Sequence, residues 1–321
     1  AYNYVFHRVA NYTAEELIGK PHKIIRHPDM PRGVFQLFWD TLKRGETIGA
    51  YVKNKAKDGL YYWVFAVVVP CEGGFLSARI KPSSPLFSTI QAEYEALLKA
   101  ENSEEISPEQ SAALLLERLQ ELGFEDYPSF ASFALAEELT ARDAGMGATV
   151  DPDISKFRSM LKSADELLIE TEGLVKKFEA MRTIPHNLRV IASRIEPAGG
   201  PVTELSQNYG SMSREMSEWF AAHVLGEDSN FAAIKNTVNK SMFIEGMARI
   251  LVECDVQLQK ERRKIEGINM VDERNILGAL VTEQREFAQS GLEDVKNEAE
   301  RILTACDVMH RHFLGLSTIR V

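Results

Sequence analysis

Four ionisable side chains of different kinds, His22, Arg26, His27 and Asp29, fall within one short stretch of this 321-residue chain. Arg26 and His27 can neutralise a pyrophosphate or another anion, and a guanidinium does so with a fixed charge and a rigid fork of donors. Asp29 can orient His27 or Arg26. Each residue also has a plainer reading: Arg26 with Asp29 as an ordinary surface ion pair, His22 as a capping or packing residue. Elsewhere the chemistry is thin. His310 and His312 stand at i, i+2, on different sides of a helix, and cannot share a metal. His223 falls on a run of core positions. Cys71, Cys254 and Cys306 are odd in number and widely spaced, which matches no disulfide framework or zinc pattern and fits a reducing cytoplasm. There is no Walker loop, dinucleotide fingerprint or nucleophile elbow. The expectation is a binding protein, not an enzyme, with no catalytic residue and no metal.

Charge divides the chain. The net charge is −10, yet residues 1–90 carry 12 Lys/Arg against 7 Asp/Glu, or +5. The remainder carries 25 against 40, or −15. A basic N-terminal module attracts an anionic ligand, whereas the acidic part repels phosphate, so nucleic acid is not an expected partner. The longest uncharged apolar run, Leu60–Cys71, is too short to span a bilayer, so membrane insertion is not expected. The start lacks the basic-then-apolar order of a signal peptide. The missing initiator Met implies a native N-terminal stretch outside this chain.

The elements that must position the ionisable cluster are legible. Thr13 with Glu16 forms a capping box before a short helix that ends at Gly19 and Pro21. Residues 32–44 place Val34, Phe35, Phe38, Trp39 and Leu42 on one helical face, and Gly45 stops them. Ile48–Lys55, Tyr61–Pro70 and Gly74–Ile80 read as strands, with hairpin turns at Lys57-Asp58-Gly59 and Glu72-Gly73-Gly74. The result is a small α+β module, residues 1–82, whose antiparallel meander has one concave face.

The run from Gly19 through Pro21-His22-Lys23-Ile24-Ile25-Arg26-His27-Pro28-Asp29-Met30-Pro31 closely resembles the PAS domain of bacterial aerotaxis receptors. Phe35, Trp39, Leu42, Gly45, Val52-Lys53-Asn54, Asp58-Gly59 and Tyr62-Trp63-Val64 extend the likeness. The resemblance implies a PAS fold that binds FAD without a covalent link and reports redox state or oxygen. It implies flavin contacts at Asn3, His22, Arg26, His27, Asp29 and Phe35, with Tyr12 and Trp39 nearby. A tryptophan expected beside the flavin is Ile48 here, so an aliphatic packs where a ring would stack. A flavin needs a flat apolar slot with a few aimed polar groups. Phe35, Trp39 and Ile48 can supply the slot, Arg26 and His27 the positive charge, and Asn3 a donor and acceptor for the ring's amide edge. FMN and haem are the alternative cofactors, with His22 or His27 as the axial ligand for haem. The cysteine that light-sensing LOV domains use for a flavin adduct falls at His22, so adduct photochemistry is not expected, whereas photoreduction of a bound flavin leaves light as a third stimulus beside redox state and oxygen.

Beyond the module, Lys81–Pro85 reads as a linker and residues 83–153 as an acidic helical connector, with 13 acidic and 3 basic residues between 93 and 143. Its helices are expected at Leu86–Ala100, after Ser107-Pro108, and from Ser129 to Arg142. The acidity reads as solvated helix faces, or as a docking surface for the basic module in front. Residues 154–321 carry heptad seams, the signature of long packed helices. They run through Phe157, Leu161, Ala164, Leu168, Thr171, Val175 and Phe178; through Val202, Leu205, Tyr209, Met212, Met216, Trp219 and His223; and from Ala288 through Leu292, Val295, Ala299, Ile302, Cys306 and Met309 to Phe313. A further helix is expected over 230–266, capped by Ser229 and ended by Gly267. Asn187-Leu188, Ala192, Gly199-Gly200-Pro201-Val202 and Ser211–Ser217 echo the receptors' kinase-contacting hairpin tip, but its Glu-Ala-Ala-Arg-Ala-Gly is absent. Pro185, Pro197 and Pro201 point instead to several shorter helices. The expected whole is a cytoplasmic signalling sensor with a helical output bundle, homodimeric through that bundle, with a chemotaxis kinase or adaptor as partner. A haem gas sensor and a cofactor-free interaction scaffold are the alternatives.

Overall fold

The computed structural model describes residues 3–71, 73–103, 105–181, 183–195, 200–226, 229–262 and 271–317. Glu72, Pro197, Gly199 and Gly267, with the side chains of Leu188, Phe178, Met309, His312 and Phe313, lie outside the described residues.

The module opens with α1 (Tyr4–Ala10), α2 (Ala14–Leu17), a 3-10 turn over His22–Ile25, and α3 (Arg32–Lys43). Gly45 follows α3 at φ +80, the left-handed position that a helix end assigns to glycine. Then come β1 (Ile48–Lys55), β2 (Tyr61–Cys71) and β3 (Gly74–Ile80), an antiparallel sheet in the order β1-β2-β3. The fold class and the limits of β1 and β3 match the sequence reading, and β2 runs one residue further, to Cys71. The helix α1 was not anticipated, because its seven residues carry no strong apolar period.

Register fixes the two faces. Ala50 pairs Ala66, Val52 pairs Val64, Asn54 pairs Tyr62, and Ala66 pairs Arg79. Residues directly opposite share a face, and neighbours alternate. The first face therefore carries Ile48, Ala50, Val52, Asn54, Tyr62, Val64, Ala66, Val68, Ser77 and Arg79. The second carries Gly49, Tyr51, Lys53, Trp63, Phe65, Val67 and Ala78. Both are covered, which is why β2 is almost continuously apolar.

The chain continues with α4 (Pro85–Ser103), α5 (Pro108–Glu121), α6 (Tyr127–Gly145), α7 (Pro152–Met181), α8 (Thr183–Ile195), α9 (Pro201–Phe220), a π turn over Ala221–Leu225, α10 (Asn230–Arg262) and α11 (Val271–Ser317). Ser107 caps α5 with the reciprocal Gln110 bond, and Asp126 caps α6. These fall into two compact units: residues 1–155 with 239–289, and 156–238 with 290–321.

In the first unit the main core lies under the second sheet face. Tyr51 stacks on Phe87 of α4 at 5.5 Å, and Trp63 meets Phe87 edge-on at 5.3 Å. Tyr51, Phe65, Ile90, Leu97, Leu115, Leu119, Phe130, Leu135 and Leu139 are fully buried there. Two connector carboxylates are also buried. Glu138 accepts from the Tyr51 hydroxyl (2.8 Å), the Ser84 hydroxyl (2.6 Å) and the Ser83 and Ser84 amides. Glu101 accepts from the Gly33 amide at the start of α3 (3.1 Å) and from the Ser111 hydroxyl (2.5 Å). Residues 83–153 thus belong to the module's own unit. Arg249 of α10 closes it with a bidentate pair to buried Asp143, whose carboxyl it holds below the ordinary range.

In the second unit, Pro185 sits in the first turn of α8 and Pro201 at the first position of α9, where a missing amide is harmless. The buried positions of α9 are Ser206 and Ser213, whereas Leu205 is 43% exposed. Val202, Tyr209, Met212, Met216 and Trp219 of the expected seam are half-buried, so the buried line runs beside them through the two serines and leaves Leu205 out. Small side chains let α8 approach: Ser206 Oγ donates to the Pro185 carbonyl at 2.6 Å, and Gly210 faces the Pro185 ring. His223 stacks on Trp219 at 4.6 Å and bonds to its carbonyl. No helix among the described residues is long and apolar enough to cross a membrane.

Candidate functional site

The first sheet face meets α3, whose 3–4 spacing turns Phe35 and Phe38 onto Ala50, Val52, Val64 and Ala66. Two alanines on the floor leave depth that larger side chains would fill. The other wall is the 3-10 turn and the extended segment after it.

That segment sorts the ionisable cluster. Arg26 is extended and bridges Asn54 of β1, while the His27 amide donates to the Lys53 carbonyl. Consecutive residues of extended backbone point to opposite sides. Arg26 accordingly follows Asn54 into the cleft and lays its guanidinium 3.5 Å from the Phe35 ring centroid. It has no ion pair with a carboxylate among the described residues.

His27 follows Lys53 to the second face, edge-on to Tyr61 at 5.8 Å. Its Nδ1 accepts from the Asp29 amide, and burial, then Lys53, holds its pKa below the ordinary value. Asp29 bonds Lys53 at 2.6 Å, which lowers its own pKa. Strand alternation thus sends Arg26 to the first face and His27, with Asp29 3.4 Å from its Nδ1, to the second. Asn3 Oδ1 accepts from the Phe6 amide at 3.0 Å and caps α1.

His22 stands in the cleft, 5.7 Å from the Phe6 ring and 3.3 Å from Arg79 Nη2. Its ring is open to solvent yet surrounded by protein, as a cleft-lining group is. Burial, then the Arg79 charge, pushes its pKa down to about 4, so it is a neutral acceptor at pH 7. The Tyr12 hydroxyl reaches the Ile24 carbonyl at 3.5 Å beside this end. Ile48 is buried at the far end of the same face, and Trp39 closes that end against Phe38 and Phe75.

Three further residues complete the site and were not read from the sequence as ligands. Asn54 Nδ2, the Tyr62 hydroxyl and Arg79 Nη1 are buried and have no hydrogen-bond partner. All three lie on the first face. A buried polar atom left unpaired costs about 1–3 kcal/mol, so three on one face are candidates to meet a ligand with complementary polar atoms. The signal was present as Asn, Tyr and Arg at alternating strand positions among apolar neighbours, but only register shows that they converge. Ala50 and Ala66 keep the sheet side of this face shallow where Phe35 and Phe38 pack, and Asn54, Tyr62 and Arg79 put polar groups on the same face.

Residues 1–74 match the family described as the PAS fold. The aerotaxis receptor of Escherichia coli (strain K12) is 40% identical over 109 residues, which are 32% of this chain and 22% of the receptor. The chain therefore spans about a fifth of that relative's length. Among solved structures, the light state of the blue-light photoreceptor Aureochrome1 LOV is 13% identical, with a TM-score of 0.25 over 29% of this chain and 76% of that one. A light-oxygen-voltage domain studied with a flavin analogue is 18% identical, with a TM-score of 0.24 over 29% and 73%. The N-terminal module is a PAS fold followed by long helices.

Proposed function

We propose that this chain, a PAS fold joined to long helices, is a sensor that holds a flavin in the cleft and passes its redox state to the helices. The observation that carries the reading is the convergence of Asn54 Nδ2, the Tyr62 hydroxyl and Arg79 Nη1 on one sheet face over an alanine floor. A flavin's amide edge offers matching acceptors and donors, and its rings fill a slot against Phe35. Arg26, at the mouth and without a carboxylate partner, suits a flavin nucleotide's phosphate, and FAD is the form that the likeness to aerotaxis receptors favours. When bound, the flavin supplies the electron chemistry; the protein supplies the slot, the orientation and the charge.

Transmission is part of the proposal. The cleft's roof, α3, is tied to α4 and α5 through Glu101, and its floor, β1, is tied to α6 through Glu138. A redox change that shifts either wall acts on helices bonded directly to it. The test is the purified chain incubated with FAD and, separately, FMN, then freed of unbound ligand. A yellow protein with the flavin absorption spectrum is expected. A protein that stays colourless with both refutes the reading.

A further inference from the structure

Deep on the first sheet face, Arg79 is a cation with no carboxylate partner among the described residues. Arg79 donates through Nε to Ser77 Oγ at 3.3 Å, and Nη2 lies against His22. The Phe6 ring stands 5.5 Å from the guanidinium carbon. Nη1 is buried and unpartnered. Arg79 makes no ion pair with a carboxylate among the described residues, and the groups facing it are a neutral imidazole, a hydroxyl and the Tyr62 phenol. A guanidinium so placed awaits an anion, because desolvated charge without a partner is costly. Arg26 lays its guanidinium on the Phe35 ring instead, and His27 faces the other side of the sheet.

We propose that Arg79 is the counter-cation of the reduced flavin ring and so sets the redox potential of the site. This rests on the flavin reading above. The balance is simple. An oxidised flavin that takes two electrons and one proton keeps one negative charge on its ring. A reduced nicotinamide supplies both electrons and the proton as one hydride and leaves as its oxidised form; a dithiol supplies two electrons and two protons as it closes to a disulfide, one proton going to the ring and one to solvent, and no bond to the protein forms or breaks. The oxidised ring is neutral, so Arg79 favours the reduced form over the oxidised one. The neutral His22 accepts from Nη2 and fixes the guanidinium without adding a second charge.

The test is a spectroscopic redox titration of the flavin-loaded full chain against a reference dye, for wild type, Arg79→Gln and Arg79→Lys. In wild type the bound flavin should be easier to reduce than free flavin. In Arg79→Gln, binding of the reduced form should weaken about tenfold more than binding of the oxidised form, which lowers the midpoint by about 30 mV for a two-electron couple. Arg79→Lys keeps the charge and should recover most of that loss. An unchanged midpoint in Arg79→Gln overturns the role of Arg79 and leaves the flavin reading standing. A wild-type midpoint below that of free flavin overturns it even where Arg79→Gln does not fold. A wild-type chain that takes up no flavin overturns both.

Discussion

Gly33, in the first turn of α3, packs directly on the start of α5. A Cβ built there lies 2.4 Å from Ser111 Oγ, 2.5 Å from the Ala112 amide nitrogen and 2.5 Å from the Ser111 carbonyl carbon. Two of those atoms are backbone of α5 and cannot swing aside. Gly33→Ala must push α3 off α5, and the shift breaks the amide bond to Glu101 as well. Overpacking costs about 1–3 kcal/mol. Loss of a hydrogen bond to a charged group adds about 1.5–3 kcal/mol. Alanine's better helix propensity returns about 1 kcal/mol. The net expectation is a destabilisation of about 2–4 kcal/mol, read as a lower urea midpoint at unchanged slope. Gly145→Ala, in the last turn of α6 with nothing within 4 Å of its Cβ, is the matched control. It should be neutral or stabilise slightly. If Gly33→Ala is as stable as Gly145→Ala, the contact between α3 and α5 is wrong, and so is the proposed tie between the roof and the helices.

Glu138→Ala leaves the Tyr51 and Ser84 hydroxyls and two amides unpartnered in the core; a loss of about 3–5 kcal/mol in urea unfolding is expected. Tyr51→Phe removes one donor and should cost about 1–2 kcal/mol, so equal losses in the two variants would contradict the hub at Glu138. Arg249→Leu strands buried Asp143 and should cost about 3–5 kcal/mol, with much of the loss regained in Asp143→Asn/Arg249→Leu. His22 has a depressed pKa when folded, so its contribution is fully present above the unfolded value near 6.5. That contribution is lost as pH falls towards about 4, where protons favour the unfolded chain. Melting temperature should fall more steeply across that window in wild type than in His22→Gln. Parallel profiles would show that His22 is not held neutral in the cleft.

Much of the fold follows from local rules. Phe35, Phe38 and Leu42 recur at helical spacing, Ser107 with Gln110 closes a capping box, and the three strands end at Gly and Asp-Gly turns. Each rule involves residues a few positions apart, so each is visible in a linear string. Asn3 shows the limit at short range: the same side chain serves a helix cap or a ligand, and the cap is satisfied by Phe6 three residues on. Ser206 and Ser213 show it at longer range, since periodicity favours the larger Leu205 and Tyr209. The close approach of α8 selects the small residues instead.

The sequence by itself determined the PAS module, its strands, the helices behind it and the stretch from which a ligand site would be built. Tertiary structure alone decided which way each site residue faces. Arg26 and His27 are neighbours in the chain and lie on opposite sides of the sheet, because pairing with Asn54 and Lys53 fixes the phase of an extended backbone. Asn54, Tyr62 and Arg79 are far apart in the chain and converge, because antiparallel register sets them on one face. Phase and register are properties of how strands meet, and no single strand contains them.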